Sequence, residues 1–346
     1  MNTVLKRISI SSIPGVRIGH AGDVDAGTGC TVVLSETGMC AGVDVRGGGP
    51  ASRESELLNP QAAADCIHAV LLGGGSAFGL GAGNGVMSFL QERGIGLDTG
   101  FAKVPLVCQS DLYDLCVGDS AAFPDAQMAY QACLNAFEGE EPASGNVGAG
   151  TGCTVGKLAG PARMMKSGIG FAAFQIGELK VGAVAAVNAL GDIFDADAGI
   201  KLAGLLSEDQ TAFESSEALM YRMQEAAFTG TLFEAAAEIE KKQGDISNTT
   251  LGIIITNGKF DKAQLCKIAA MAQNGYARAI RPVHTMADGD TVYALSVGDV
   301  PADINAAGTL AARVMTEAIK DAVLSAQPAY GLKCAACMNE SSGKDL

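Results

Sequence analysis

Around residue 248 the chain changes character within a single peptide bond. Gln243-Gly244-Asp245-Ile246-Ser247-Asn248 is a polar, turn-rich segment, and it runs straight into Thr249-Thr250-Leu251-Gly252-Ile253-Ile254-Ile255. The first segment reads as an exposed linker. The second, with its run of apolar β-branched residues, reads as a strand buried on both faces. A strand of that kind survives only inside a layered fold that covers both sides of its sheet.

Other elements supply those layers. Val16-Arg17-Ile18, Thr31-Val32-Val33-Leu34 and Val43-Asp44-Val45 read as short strands joined by turns. Residues 60–72 read as a helix led by Pro60 and ended at Gly73-Gly74-Gly75, and residues 78–93 as a second helix ending at Arg93-Gly94. Residues 180–188 form a strand of small residues. Residues 197–243 read as helix-rich, including the charge cluster Glu238-Ile239-Glu240-Lys241-Lys242. A helix over 261–274, a strand over 291–296 and a long helix over 302–327 follow. In that last helix Ile304, Ala307, Leu310, Val314 and Ile319 recur at helical spacing. This mixture predicts an α/β or α+β layered fold.

With 346 residues there is room for one large domain or two small ones. The core must be built from Ala, Val, Ile and Leu, because Trp is absent and aromatics make up 5% of the chain, while the 45 Gly imply tight turns and close backbone approaches. A net charge of −14 argues against nucleic acid and anionic membranes as partners. The N-terminal segment lacks the apolar stretch of a signal peptide, and no run reaches the ~18–20 apolar residues of a membrane span. Ten scattered cysteines in apolar contexts fit a reduced, cytoplasmic protein. Cys334 and Cys337 form a lone C-x-x-C without two further ligands nearby, and read as part of a flexible tail rather than a zinc or redox site. Gly145–Leu158 looks like a phosphate loop, but Thr151 stands where the first glycine is required and Leu158 where the hydroxyl is required. It reads instead as a backbone-lined loop near a pocket or interface. Nothing calls for a cofactor or a metal.

The junction itself has chemical potential. If the Asn248–Thr249 bond is cut, Thr249 carries its hydroxyl and its own α-amine at a strand end. An α-amine has a reference pKa of about 7.7–8.0, so it can take the hydroxyl proton, and one residue then supplies both nucleophile and base. The cut needs only the same hydroxyl: Thr249 Oγ1 attacks the Asn248 carbonyl, the acyl group moves from N to O, and water resolves the ester. From these residues in isolation, a strand start with a turn Asn is the more ordinary reading, since Asn-Thr-Thr is a common tripeptide.

A series of segments resembles the DmpA-like family of self-processing N-terminal-nucleophile peptidases, the D-aminopeptidases and β-peptidyl aminopeptidases. They are residues 13–20 (IPGVRIGH), 28–34 (TGCTVVL), 46–50 (RGGGP) followed by Arg53-Glu54, 72–80 (LGGGSAFGL) and 145–152 (GNVGAGTG). Val187-Asn188, Asn248-Thr249-Thr250, and Arg281-Pro282-Val283-His284-Thr285 leading to Asp288-Gly289-Asp290 complete the set. Together they cover roughly residues 10–326 in order, in the manner of the shorter bacterial branch cut at Asn-Thr-Thr.

The resemblance implies an α/β fold, a four-layer αββα sandwich of the N-terminal-nucleophile-hydrolase type. It implies one domain spanning 1–346, self-cleaved into 1–248 and 249–346, with the cleaved pairs assembled into a homotetramer that takes a small-molecule or short-peptide substrate. It assigns the nucleophile to Thr249, the cleavage site to Asn248–Thr249, and an oxyanion-hole amide to Asn188. Asp288 and Asp290 stand where family aminopeptidases carry Ser-Gly-Glu. The residues themselves agree that two carboxylates at one rim can bind an ammonium, either that of Thr249 or that of a substrate, although a plain turn has the same pattern. The family's oxyanion tyrosine has no firm counterpart; Tyr113 is nearby in sequence and, with Gly148 and Gly150, is a candidate for lining the substrate pocket. His284 is expected to be structural, and His20 and His68 to be turn and helix residues; Arg46, Arg53 and Glu54 can form an ion-pair cluster and read equally as structural residues or as part of the pocket rim. Rival readings are an acyltransferase of the ornithine acetyltransferase type and a catalytically silent oligomeric binding protein.

Overall fold

The computed structural model describes residues 4–229 and 248–342. In chain order the principal strands are β1 (Lys6–Ile8), β2 (Arg17–Asp23), β3 (Thr28–Val45), β4 (Ala51–Arg53), β5 (Ile67–Gly73), β6 (Val107–Asp111), β7 (Ile169–Ile176), β8 (Leu179–Asn188), β9 (Thr249–Gly258) and β10 (Thr291–Val300). The principal helices are α1 (Gly83–Glu92), α2 (Ala126–Glu138), α3 (Ser216–Thr229), α4 (Lys262–Ala279), α5 (Ile304–Leu324) and α6 (Ala335–Ser342).

The strands pair in the order β1-β7-β8-β9-β10-β3-β5-β6-β4, with β2 also on β3. β3 belongs to two sheets. Its first half pairs with β2 and β5, and Cys40–Val45 pairs with β10, the register breaking between Leu34 and Met39. A bulge of this kind bends a strand and increases its twist.

Three clusters of buried side chains separate four layers. Val33, Val70 and Leu72 of one sheet meet Val184, Ile253, Ile255 and Leu295 of the other. Ala183, Ile254 and Ala294 face outward against Leu265 and Ile268 of α4 and Val314 and Ile319 of α5. Leu34, Ala69 and Leu71 face outward against Val86 and Phe89 of α1 and Ala132 of α2. Alternate residues of each strand thus enter different interfaces, as a two-residue side-chain period dictates. The result is the αββα sandwich that the resemblance implied. β9 is buried along its entire length, and each fully buried isoleucine in it contributes about 1.5–3 kcal/mol.

The glycine content has a local cause where helix backbones lie directly on strands. A Cβ at Gly42 in β3 would stand 2.3 Å from the Cys266 nitrogen of α4, and one at Gly170 in β7 would stand 2.2 Å from the Ala318 oxygen of α5.

The structure corrects several expectations. Residues 60–72 are not a helix: the apolar run Ile67–Leu72 is strand β5, because its alternate residues fill two different core interfaces. His68 therefore lies in a strand, as does His20. Only Gly83–Glu92 of the second expected helix is α-helical; residues 76–82 form a 3-10 helix. Within 197–243 the structure has a strand, Lys201–Ala203, before α3, while the charge cluster and the linker up to Ser247 lie outside the described residues. The C-x-x-C is no loose tail, since Cys334 is fully buried and leads into α6. Arg46, Arg53 and Glu54 form no common cluster: Arg46 pairs with Asp44 at 2.8 Å, and Arg53 binds the Asn84 side chain at 2.9 Å. Among the described residues no helix is long and apolar enough to cross a membrane.

Candidate active site

β8 ends at Asn188 and β9 begins at Thr249, and the two residues are direct partners in the antiparallel ladder. Both are buried, Asn188 completely and Thr249 to 2% exposure. The Thr249 hydroxyl donates to the carbonyl oxygen of Asn248, the residue before it. That carbonyl also accepts the Gly289 N–H at 2.7 Å. Two donors on one carbonyl oxygen polarise it and would stabilise negative charge developing there.

Gly289 is glycine for a reason visible at this point. A Cβ there would stand 2.7 Å from Thr249 Oγ1 and 2.8 Å from the Gly49 carbonyl oxygen. Gly289→Ala is expected to displace the Thr249 hydroxyl and to cost about 1–3 kcal/mol through overpacking. A thermal melt beside the unchanged protein measures the loss.

The loop carrying Asp288-Gly289-Asp290 is held from two sides. The Arg46-Gly47-Gly48-Gly49 segment donates backbone N–H groups to it: Arg46 and Gly47 to the Asp290 oxygen, Gly48 to Thr285 and Gly49 to Asp288. On the other side Asn248 bonds to Ala287 through its backbone N–H at 2.8 Å. Asp290 is fully engaged. Its Oδ1 accepts the Thr250 N–H at 2.7 Å, and its Oδ2 accepts the His284 N–H at 3.1 Å and faces His284 Nδ1 at 2.9 Å. His284, at φ 59°, stacks its ring on Tyr276 with 5.9 Å between centroids. Asp288 Oδ2 accepts the Thr285 N–H and hydroxyl at 2.9 and 2.6 Å, while among the described residues Oδ1 meets only the Leu190 N–H, at 3.5 Å.

Burial, with the charge of Asp290 added, pushes the Asp288 carboxyl up to about 6 against the opposing Thr285 and Leu190 hydrogen bonds. The sign for stability follows from linkage. An acid with a raised folded-state pKa holds its proton more tightly in the folded than in the unfolded chain. Its favourable contribution is complete below the ordinary value of 3.8 and is lost as the pH rises through about 6. Asp288→Asn keeps an oxygen for both Thr285 donors and removes the ionised form, so at pH 8 it is expected to stabilise the fold by about 1–3 kcal/mol. Denaturant titrations at pH 4 and pH 8 test this: the gain must shrink towards the acid end.

Asn188 is oriented by a network. Its Oδ1 accepts from the Thr154 N–H at 3.0 Å and from Lys157 Nζ at 2.6 Å, and its backbone oxygen accepts a second bond from Lys157 at 3.0 Å. With the oxygen committed to these donors, Nδ2 faces the opposite way and donates to the Tyr113 carbonyl at 2.8 Å. Tyr113 thus reaches the site through its backbone. Lys157 is 1% exposed, and desolvation lowers its pKa against the nearby Cys116, Cys153, Asp288 and Asp114. Gly148 and Gly150 are buried in tight packing: a Cβ at Gly148 would meet Thr31 Oγ1 and His20 Nδ1, and one at Gly150 would meet the Ile169 nitrogen.

Of the candidates from sequence, Thr249, Asn248, Asn188, Asp288 and Asp290 are gathered around one strand end. Lys157, Thr154 and Gly289 belong to the same group and were missed. Lys157 sits in the segment that failed as a phosphate loop, and its isolation among glycines and apolar residues was the available signal.

The chain is similar to known proteins over nearly its whole length. The sequence profile of Peptidase family S58 matches residues 9–336. The protein described as "Uncharacterized aminopeptidase Rv1333" of Mycobacterium tuberculosis is 36% identical, covering 94% of this chain and 96% of its own length. The 6-aminohexanoate-oligomer endohydrolase of Paenarthrobacter ureafaciens is 31% identical, with 89% and 84% covered. Among solved structures, the l-aminopeptidase d-ala-esterase/amidase of Ochrobactrum anthropi, described as a variant of the Ntn hydrolase fold, superposes with a TM-score of 0.67 at 16% identity, covering 97% of this chain and 94% of that one. The β-aminopeptidase of a Burkholderia species does so with a TM-score of 0.64 at 19% identity, with 96% and 92% covered. Through the S58 profile and these near-full-length relatives, this chain belongs to peptidase family S58, the DmpA-type aminopeptidases.

Proposed function

We propose that the chain is an amide hydrolase that activates itself by cutting its own Asn248–Thr249 bond and then works through an acyl-Thr249 intermediate. The observation that carries this reading is the Thr249 hydroxyl resting on the Asn248 carbonyl while Gly289 N–H holds the same oxygen. Attack by Oγ1 on that carbonyl carbon gives a tetrahedral oxyanion facing Gly289. Collapse with protonation of the Thr249 nitrogen leaves an ester, and water hydrolyses it to an Asn248 carboxylate and a free Thr249.

In the mature enzyme the new α-amine takes the hydroxyl proton as Oγ1 attacks a substrate amide. The resulting ammonium needs an anionic neighbour, and Asp288 Oδ1 is the carboxylate oxygen of the site with acceptor capacity to spare. Asn188, held by Lys157, supplies an amide to the substrate oxyanion. This role requires ionised Asp288, so turnover is expected to fall as the pH drops below about 6. In Asp288→Asn that inflection must vanish; a pH–rate profile of both proteins checks it.

The substrate is a small molecule or short peptide with an accessible amide, in line with relatives named as aminopeptidases and as a 6-aminohexanoate-oligomer endohydrolase. The two fragments stay together, because β9 pairs with β8 on one side and β10 on the other, so residues 1–248 alone lack two adjacent central strands of one sheet. Such pairs associate further as a homotetramer. The test is incubation of purified protein with amino-acid p-nitroanilides, β-peptides and 6-aminohexanoate oligomers. Turnover of at least one is expected, and no release of amine from any of them would end the proposal.

A further inference from the structure

We propose that Cys334 and Cys337 are a reversible dithiol site whose reaction partner is a small-molecule disulfide of the glutathione type. The two sulfurs face one another at 3.8 Å. That is beyond a covalent S–S bond of about 2.05 Å but close enough for one side-chain adjustment to join them. Other thiols in the fold point elsewhere: Cys108, Cys153 and Cys266 donate to the backbone oxygens of Glu54, Ala149 and Leu58.

The surroundings divide the labour between the two sulfurs. Cys334 is fully buried at the residue preceding α6, and the Cys337 N–H donates to its backbone oxygen at 3.1 Å. Burial raises the Cys334 thiol above its ordinary value, with the neighbouring Cys337 adding to the rise, which suits Cys334 to the second, resolving role. The buried Lys166 ammonium also interacts with Cys334, and the Lys166 N–H is tied to the Lys333 carbonyl at 2.8 Å, which fixes the approach of the segment. Cys337, half-buried, is the sulfur a reagent reaches first. Among the described residues no group of three or more His, Cys, Asp or Glu is placed to hold a metal ion.

The exchange balances in two steps. The Cys337 thiolate attacks one sulfur of oxidised glutathione, forming a mixed disulfide and releasing one glutathione thiolate. The Cys334 thiolate then attacks the Cys337 sulfur, closing the intrachain disulfide and releasing the second glutathione. The two protein thiol protons end on the two glutathione thiols, and the two electrons pass from the protein sulfurs to the glutathione disulfide.

The experiment equilibrates the full-length protein with mixtures of reduced and oxidised glutathione, quenches in acid, alkylates free thiols and reads tryptic peptides by mass. Both sulfurs fall in one peptide, Cys334–Lys344, bounded by Lys333 and Lys344. The expected product is that peptide lighter by two hydrogens, with both alkylation sites lost and both regained after reduction. In Cys337→Ser the two-hydrogen loss must disappear. The proposal is overturned if both thiols stay fully alkylated in mixtures that already modify the half-buried Cys40 or Cys66. It is equally overturned if a glutathione adduct persists on Cys337 without closing onto Cys334, or if the purified protein carries stoichiometric zinc released by a thiol reagent.

Discussion

Thr249→Ala is expected to leave one chain of 35.1 kDa on a denaturing gel, where on the proposed mechanism the wild type is expected to give two fragments ending and beginning at the 248–249 bond. The substitution removes the hydroxyl that donates to the Asn248 carbonyl and, on the proposed mechanism, the nucleophile itself. Amide turnover should fall by roughly a million-fold, the scale of losing the attacking group in a hydrolase. Thr249→Ser retains the oxygen on the same backbone and should still divide. The fold should tolerate either change, because the β9 ladder is made by backbone groups and its core side chains begin at Leu251. Intact-mass spectrometry of the three proteins decides the matter. A Thr249→Ala protein that still yields fragments cut after Asn248 would remove the hydroxyl from the mechanism.

The second large effect is expected at Lys157. Its ammonium is the strongest partner of the Asn188 carbonyl oxygen, and methionine has a similar length without the charge. On the proposed mechanism, in which Asn188 Nδ2 serves the oxyanion, Lys157→Met removes the donor that fixes the orientation of that amide. A misdirected oxyanion donor costs about 3–4 kcal/mol in the transition state, so kcat should drop by roughly 100- to 1,000-fold. Stability should not follow. Burial already disfavours this charge, and an apolar side chain of similar volume often matches or improves on a buried ion. The pH profile offers a further check. Lys157 and Asp288 interact, so removal of the positive charge should move the Asp288 inflection upward from about 6. Equal losses of activity and melting temperature would instead make Lys157 a packing residue.

Much of the frame was legible in the residues because it rests on local physics. A run such as Leu251–Ile255 has one stable environment, and the linker before it marks a boundary. The amphipathic spacing of residues 302–327 recurs in α5, and capping by Asp303 and by Asp261 begins α5 and α4. Where local physics was ambiguous the reading failed. Residues 60–72 carry Pro and Ala at a plausible helix start, yet Ile67–Leu72 became a strand because both its faces were claimed by different layers. Lys157 was passed over for a related reason: a buried lysine carries no pattern of its own, and its role arises from residues 31 positions away.

The sequence by itself determined that a hydroxyl residue heads a buried strand, that the core is made of small apolar side chains, and that Asp288-Gly289-Asp290 is available as a carboxylate pair. Only the tertiary structure decided what those groups meet. The antiparallel register of β8 and β9 sets Asn188 opposite Thr249, the glycine loop at residues 46–49 presses Gly289 onto the Asn248 carbonyl, and burial beside a second carboxylate raises Asp288. The physical reason is range. Strand and helix preferences act over neighbouring residues and are written along the chain, whereas hydrogen-bond partners and desolvation depend on residues brought together from distant segments.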